Sequence, residues 1–259
     1  MIRRPFCESL KLSEDADIAA ALEDLKQRAS LLSVHLEEKT LQLIGEFCRQ
    51  LAAYNQHTNL VSKADAPNLV QQHIADSLSL VGPIADRQKT NHRLVDIGSG
   101  AGFPAIILAL TLADLQVVFI ESISKKAKFL QQVCGYLGLD NRVKVLAERA
   151  ETCARQKDLR DSFGFATARA VGSLSLISEL TLPFLQTGGC LLAQKSQKQA
   201  DDEIREAASL VTALGGSIRE KVIPNPMAVG KDVVIIEVVK TQPTPPKYPR
   251  QTAQLGKGR

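Results

Sequence analysis

The residues of this chain best suited to chemistry are two carboxylates and the glycines between them. Asp96 precedes the pentapeptide Gly98-Ser99-Gly100-Ala101-Gly102, and Glu121 follows 25 residues after Asp96. Glycines at every second position let a backbone turn tightly against a ligand. A carboxylate at the end of the following strand can accept hydrogen bonds from both hydroxyls of a ribose, a role for which the usual spacing is roughly 20 residues. The chemistry implied is the binding of a nucleoside-containing cofactor. The spacing is not that of the dinucleotide fingerprint, Gly-x-Gly-x-x-Gly, because the third glycine comes one residue early. A nicotinamide-dependent oxidoreductase is therefore disfavoured. Two roles are open to Asp96: fixing the glycine loop through backbone N–H groups, or meeting a cationic group of the cofactor. A glycine turn can also serve only to pack a helix closely on a sheet.

Other candidates lie on either side. Glu148-Arg149-Ala150-Glu151 stands where a third strand-to-helix loop would pass an adenine, so backbone groups of Ala150 and Glu151 could read the base. Ala168-Arg169-Ala170 puts a cation between small residues at the end of a fourth strand, suited either to a ligand carboxylate or phosphate or to a salt bridge with Glu121 or Glu151. His73, Asp76 and Ser77 form a polar helix face that either ties the helix to a neighbouring loop or joins a site. Lys125, Lys126 and Lys128 fall in the first turn of a helix that Ser124 can cap. The macrodipole disfavours cations there, which a polyanion would offset; three solvated lysines are the plainer alternative. No cluster has metal-ligand spacing, so no metal is expected.

These residues converge only if a parallel sheet carries them. Leu94–Ile97, Val117–Glu121, Val143–Leu146, Phe165–Thr167, Gly189–Lys195 and Val233–Lys240 read as strands alternating with helical patterns. That alternation predicts an α/β fold with a doubly wound, mostly parallel sheet. Strands near Ile218–Ile223 and Val233–Val239 are separated by Pro224-Asn225-Pro226 and Gly230 without a helical pattern, which predicts a hairpin-like pair. Earlier, Ile18, Leu22, Leu25 and Leu32, then Leu41, Ile44, Cys48 and Leu51, mark two amphipathic helices. A third carries Val70, Ile74, Leu78 and Val81, starting at Asp65-Ala66-Pro67 and stopping at Gly82-Pro83. The expected organisation is a helical extension over 1–90 packed on the core, an α/β domain over 91–240 and a basic, proline-rich tail over 241–259.

With 259 residues, 44% of them hydrophobic, the chain can bury the core of one α/β domain with an appendage. Its longest apolar run, Phe103 to Ala113, falls short of the ~20 residues of a membrane span. No apolar segment follows Arg3 and Arg4. A soluble cytoplasmic protein without a membrane partner is expected. Cys7, Cys48, Cys134, Cys153 and Cys190 are scattered and odd in number, as reduced core thiols are. The net charge of +4 resides in the tail, where Lys240 to Arg259 hold five basic residues and no acidic one. That segment, with Pro243, Pro245, Pro246 and Pro249, cannot fold alone and suits either a phosphate backbone or a merely solvated tail.

Asp96-x-Gly98-x-Gly100-x-Gly102 looks like the donor turn of an S-adenosylmethionine-dependent methyltransferase, and the sheet outline is similar to the Rossmann-like, class I version of that fold. The wider pattern includes Asn59-Leu60-Val61, His73-x-x-Asp76-Ser77-Leu78, Phe103-Pro104, Glu121-x-x-x-Lys125-Lys126-x-x-Phe129-Leu130, Arg149-Ala150-Glu151, Arg169-Ala170-Val171 and Lys247-Tyr248-Pro249-Arg250. Together these resemble the bacterial glucose-inhibited division protein B family of small-subunit ribosomal RNA guanine-N7 methyltransferases. The resemblance implies S-adenosylmethionine as methyl donor, without a metal, held by Asp96, Gly98, Gly100, Gly102, Phe103, Glu121, Ala150, Glu151 and Arg169. It implies 16S ribosomal RNA or a small-subunit particle as partner, guanine 527 as target and a monomeric enzyme. Candidate RNA contacts are His73, Lys125, Lys126, Lys247, Tyr248 and Arg250, the last three combining phosphate contacts with stacking. Ala105, Gly164 and Ala168 depart from the family's usual glycine, aspartate and serine. Guanine N7 carries a free lone pair, so no general base is required; alignment and exclusion of water would supply catalysis. The rival reading is a non-catalytic ribosomal RNA-binding factor on the same fold.

Overall fold

The structure, a computed structural model, describes residues 12–30, 33–62, 69–87, 91–219, 223–224 and 233–251. Alternation of apolar side chains along β1 (Arg93–Ile97) sends Leu94 to one face of a sheet and Val95 and Ile97 to the other, and all three are buried. A strand buried on both faces needs a helical layer on each side, and the chain supplies both.

One layer comprises α1 (Leu12–Ser30), α2 (Glu38–Asn55), α5 (Ala105–Thr111) and α6 (Ser124–Tyr136). Leu25, Ile44, Phe47, Ile106 and Phe129 share a core there with Leu94. The opposite layer includes α7 (Ala150–Cys153), α8 (Leu174–Thr181) and α9 (Gln197–Ala213), with Ile177 and Val211 packed with Val95. The helical extension is thus part of the main core rather than a separately cored body.

The sheet runs β3 (Val143–Leu146), β2 (Gln116–Ile120), β1, β4 (Phe163–Ala168), β5 (Leu185–Ser196), β8 (Val233–Lys240) and β6 (Gly216–Ile218); the short β7 (Ile223–Pro224) also pairs with β8. β1 to β5 are mutually parallel, whereas β8 is antiparallel to β5, β6 and β7. The hairpin-like terminal unit expected from the prolines is present as these antiparallel pairs. Strand order reverses between β1 and β4, which opens a crevice at the carboxyl edge where open α/β sheets bind ligands.

The third N-terminal helix differs from expectation. A π-helical turn over Leu69–Ile74 leads into α3 (Ala75–Leu78), followed by α4 (Val81–Ala85). Gly82-Pro83 lies inside α4 instead of stopping a helix, because the first helical turn asks no partner of the missing proline N–H. Its expected start at Asp65-Ala66-Pro67, and Leu32 of the first stripe, lie outside the described residues.

The described part of the tail is a strap bound to the domain. Lys240 is buried and donates to the Leu182 carbonyl and the Thr244 hydroxyl at 2.6 Å each and to Asp161 at 3.2 Å. Burial lowers its pKa to about 8, against the opposing pull of Asp161. Arg160 donates to the Thr244 and Tyr248 carbonyls, and Arg155 to that of Pro249. A proline-rich segment cannot supply its own ladder of hydrogen bonds, so arginines from the body satisfy its carbonyls. Cys48, Cys134, Cys153 and Cys190 are buried thiols pushed up to about 12 by desolvation; Cys7 is outside the described residues. Among the described residues, no helix is long and apolar enough to cross a membrane.

Candidate active site

The glycine turn leaves β1 at the carboxyl edge with Gly98, Gly100 and Gly102 at φ of 66°, 52° and 93°. A Cβ on Gly102 would stand 2.3 Å from Ile106 Cδ1, so the side of the turn facing α5 has no room for one. Gly100 has only the Gly98 carbonyl within reach, at 3.7 Å, and its backbone is open to a ligand. Phe103-Pro104 carries the chain into α5, with a cis peptide bond and Pro104 at the N-cap position.

The two carboxylates divide the roles the sequence left open. Glu121, just beyond β2, accepts from the Gly100 N–H at 2.9 Å and from the Ile123 N–H at 2.8 Å. It is therefore Glu121 that braces the glycine loop. Each of its oxygens keeps a second lone pair for a ribose hydroxyl. Asp96 is completely buried; its Oδ1 accepts from the Thr167 hydroxyl at 2.7 Å, while Oδ2 has no hydrogen-bond partner. Burial pushes its pKa up to about 7, opposed by the Thr167 hydrogen bond and reinforced by the charge of Glu121. An orphaned buried carboxylate oxygen fits a cationic ligand group, which would lower that pKa again.

Ser124 does not cap α6. The N-cap position is Ile123 without a side-chain cap, because the Glu121 carboxylate already receives the Ile123 N–H. Ile123 itself is 50% exposed. Lys125 reaches back to the His57 carbonyl at 2.9 Å, tying α6 to the segment after α2, while Lys126 is half-buried. Ala150 and Glu151 open α7 directly after the β3 loop, both buried.

Across the crevice, Arg169 follows β4 and meets the N-terminal segment. Its guanidinium pairs with Asp76 at 3.2 Å and approaches His73 Nδ1 at 2.6 Å. A guanidinium only donates, so Nδ1 accepts and the imidazole is neutral with its proton on Nε2. The His73 ring stacks on Phe103, with centroids 5.3 Å apart and planes 27° apart, and Phe103 meets Phe47 edge-on. Arg169 thus joins the end of β4 to the His73–Asp76 segment, which His73 in turn links to Phe103, with Asp76 as an ion-pair partner not apparent from the sequence. The polar face of His73, Asp76 and Ser77 does tie its helix to a neighbouring loop, and does so inside the site.

Beside this knot opens a cleft of about 450 Å³ lined by Asp76, Arg169, Gln194, Lys195, Gln199 and Glu203, among others. Lys195 and Glu203 escaped the sequence reading; one ends a strand, the other sits on the next helix, and their types are common on solvated surfaces. Thr167 escaped as well, for it reads as an ordinary strand residue. Among the described residues, no group of three or more His, Cys, Asp or Glu could hold a metal ion.

The tail candidates separate. The Arg250 guanidinium is committed to Glu179, with Nε at 2.8 Å from Oε1 and a second nitrogen at 2.6 Å from Oε2, and Glu179 is 1% exposed. Arg250, expected as an RNA contact, anchors the strap to the domain through this pair, with 33% of its side chain exposed. Lys247 is exposed, with its ammonium 5.2 Å from the centre of the half-buried Tyr248 ring.

The family described as rRNA small subunit methyltransferase G (GidB) matches residues 40–223, a span that holds the glycine turn, both carboxylates and the whole His73–Arg169 knot. The chain belongs to that family. Curated relatives named ribosomal RNA small subunit methyltransferase G are similar over most of their length. The Lactobacillus johnsonii protein is 34% identical over 86% of this chain and 92% of its own, and the Roseiflexus castenholzii protein 34% identical over 88% and 95%. Among solved structures, an O-methyltransferase from Bacillus cereus in complex with SAH aligns with a TM-score of 0.52 at 19% identity, covering 86% of this chain and 100% of that one. A putative O-methyltransferase from Klebsiella pneumoniae aligns at 0.52 and 12% identity, over 77% and 90%. These likenesses fix the fold as the Rossmann-like methyltransferase type. Membership in the family makes this a methyltransferase fold with a methyltransferase lineage, and its matched span holds the glycine turn and every cleft residue but Val233.

Proposed function

We propose that this protein transfers a methyl group from S-adenosylmethionine to N7 of a guanine in small-subunit ribosomal RNA. The donor would supply an electrophilic methyl on a sulfonium. Gly98 to Gly102 form the cradle, open at Gly100, Glu121 offers acceptors for the ribose, and Ala150 and Glu151 open the loop suited to the adenine. The orphaned Oδ2 of Asp96 matches the donor's ammonium. Phe103 and the His73 ring stacked on it stand next to Arg169, which lines the cleft that takes the guanine.

The observation that carries the acceptor reading is the pairing of the cleft's carboxylates. Asp76 is held by Arg169, and Glu203 by Lys195 at 2.7 Å. Each of these carboxylates is engaged by a cation rather than aimed at a proton in the cleft, which suits a nucleophile that surrenders no proton. Transfer would form the N7–methyl bond as the carbon–sulfur bond broke with its electrons left on sulfur, so the positive charge would pass from sulfonium to purine and no proton would need removing. The protein's work is then alignment and exclusion of water. In regular A-form RNA the major groove hides N7 from side chains, so the target is a loop or an opened structure.

The test is incubation with methyl-labelled donor and either ribosomal RNA or intact small subunits from cells lacking the protein, followed by mass spectrometry of the nucleosides. Label in 7-methylguanosine, mapped to guanine 527, is the expected result. Label in another nucleoside breaks the N7 assignment. Donor binding with no transfer to either form overturns the substrate, and absence of donor binding favours the non-catalytic RNA-binding factor.

A further inference from the structure

The loop after β4 lies between the two halves of the site and has an unusual backbone. Ala170 has φ of 56° and Gly172 φ of 156°, both outside the conformations that L-residues prefer. A Cβ on Gly172 would stand 2.7 Å from Leu176 Cδ2. A short loop with two such residues is held only where its surroundings over-determine it. The restraint comes from β5 and α9. Lys195, at the end of β5 and with only 11% of its side chain exposed, donates to the Gly172 carbonyl at 2.6 Å and pairs with Glu203 at 2.7 Å. The same Glu203 oxygen accepts from the N–H of Leu174, the first residue of α8, at 2.6 Å. One ion pair therefore grips the loop at its carbonyl and at its exit. Arg169, Ala170, Gly172, Lys195 and Glu203 all line the cleft.

We propose that Lys195 and Glu203 are positioning residues for the acceptor nucleotide: they clamp the Arg169–Ser173 loop in the shape that receives the target base. This rests on the reading of the cleft as the acceptor site. Neither Lys195 nor Glu203 has a hydrogen bond to the glycine turn; the loop they hold touches that turn only through Val171, whose Cγ2 stands 2.7 Å from the place of a Gly98 Cβ, so the clamp acts more on the RNA step than on the donor step. Arg169 is fixed at both ends, by Asp76 and His73 on one side and by the clamped loop on the other. Misplacement by about 1 Å of groups aligned for an in-line transfer costs on the order of 100-fold in rate.

The experiment compares full-length wild type with Lys195→Met, Glu203→Gln and Lys195→Arg. It measures donor affinity by calorimetry, methyl transfer as a function of RNA concentration, and amide hydrogen exchange over 170–174. Lys195→Met and Glu203→Gln are expected to raise KM for RNA or lower kcat by at least about tenfold, with donor Kd within about twofold of wild type. Exchange at 170–174 should accelerate in both, and Lys195→Arg should recover a large part of each loss. Transfer kinetics equal to wild type, or loss of donor affinity in step with transfer, would overturn the clamp. Wild-type transfer reports separately on the function: if wild type binds donor and RNA but transfers nothing, that reading fails. The clamp is then judged by RNA affinity and loop exchange, and falls if neither changes.

Discussion

The two sides of the crevice are built by different means. On the side proposed for the donor, backbone geometry does the work: β1 leads into the glycine turn, and a carboxylate at the end of the adjacent strand braces it through backbone N–H groups. On the side proposed for the acceptor, ion pairs between side chains do the work: Arg169 with Asp76, 93 residues earlier, and Lys195 with Glu203 on the next helix. Backbone geometry requires particular residue types at fixed spacings, because only glycine takes positive φ without penalty. An ion pair requires only opposite charges brought together by the fold. One side can therefore be found in a sequence, and the other waits for the structure.

The sharpest test of that division is Glu121→Ala against Arg169→Ala. Glu121→Ala removes the brace of Gly100 and two acceptors for the ribose. Hydrogen bonds to a charged group contribute about 1.5 kcal/mol or more each, so donor affinity should fall on the order of 100-fold. Arg169→Ala should leave donor affinity within a few-fold while lowering transfer to RNA. Calorimetry with the donor, alongside transfer kinetics, separates the two; equal losses of donor affinity would show that Arg169 belongs to the donor side and that the division is wrong.

What was legible follows the same line. The strands from Leu94–Ile97 to Val233–Lys240, the antiparallel terminal unit and the placing of Asp96 and Glu121 at the carboxyl edge were readable, since period, glycine and proline act over a few residues. Arg169 was visible as a cation at a strand end, but Asp76 as its partner was not, because they are 93 residues apart. The π-helical turn before α3 was invisible, since its residues show an ordinary helical period. The partner of Arg250 was hidden for a related reason. A run of basic residues without acidic neighbours reads as a polyanion site, and nothing local points to Glu179, 71 residues earlier and buried in α8.

The strap gives the next test, smaller in effect. Arg250→Ala leaves the Glu179 carboxylate buried without its cation. Breaking such a pair costs roughly 3 kcal/mol, and less here because the Arg250 side chain is 33% exposed. A fall in Tm of about 4–8 °C is expected, with donor affinity unchanged. Adding Glu179→Leu should restore much of the loss, since the orphaned charge is then gone. The slope of RNA affinity against salt should not change in Arg250→Ala, as a guanidinium committed to Glu179 releases no counterions from RNA. A slope reduced by about one would return Arg250 to the RNA interface.

The smallest expected effect is in the pH dependence of the donor side. Asp96 has a folded pKa of about 7 against an ordinary value of 3.8. Between those values the folded protein holds a proton that the unfolded chain has released, so the Asp96 contribution to stability falls as pH rises from about 4 to about 7 and stays lost above that. Asp96→Asn removes this loss, and the donor-free variant should be more stable than wild type at pH 8, with the gain vanishing near pH 4. Binding should change in the opposite sense. If Oδ2 meets the ammonium of the donor, wild-type affinity rises with pH through about 7 as the carboxylate ionises, while Asp96→Asn binds more weakly and without that rise. Unfolding curves and donor titrations at the same pH values give both signs. A stability gain without a loss of affinity would mean that Asp96 serves only to hold Thr167, leaving Glu121 as the sole carboxylate of the donor side that touches the ligand.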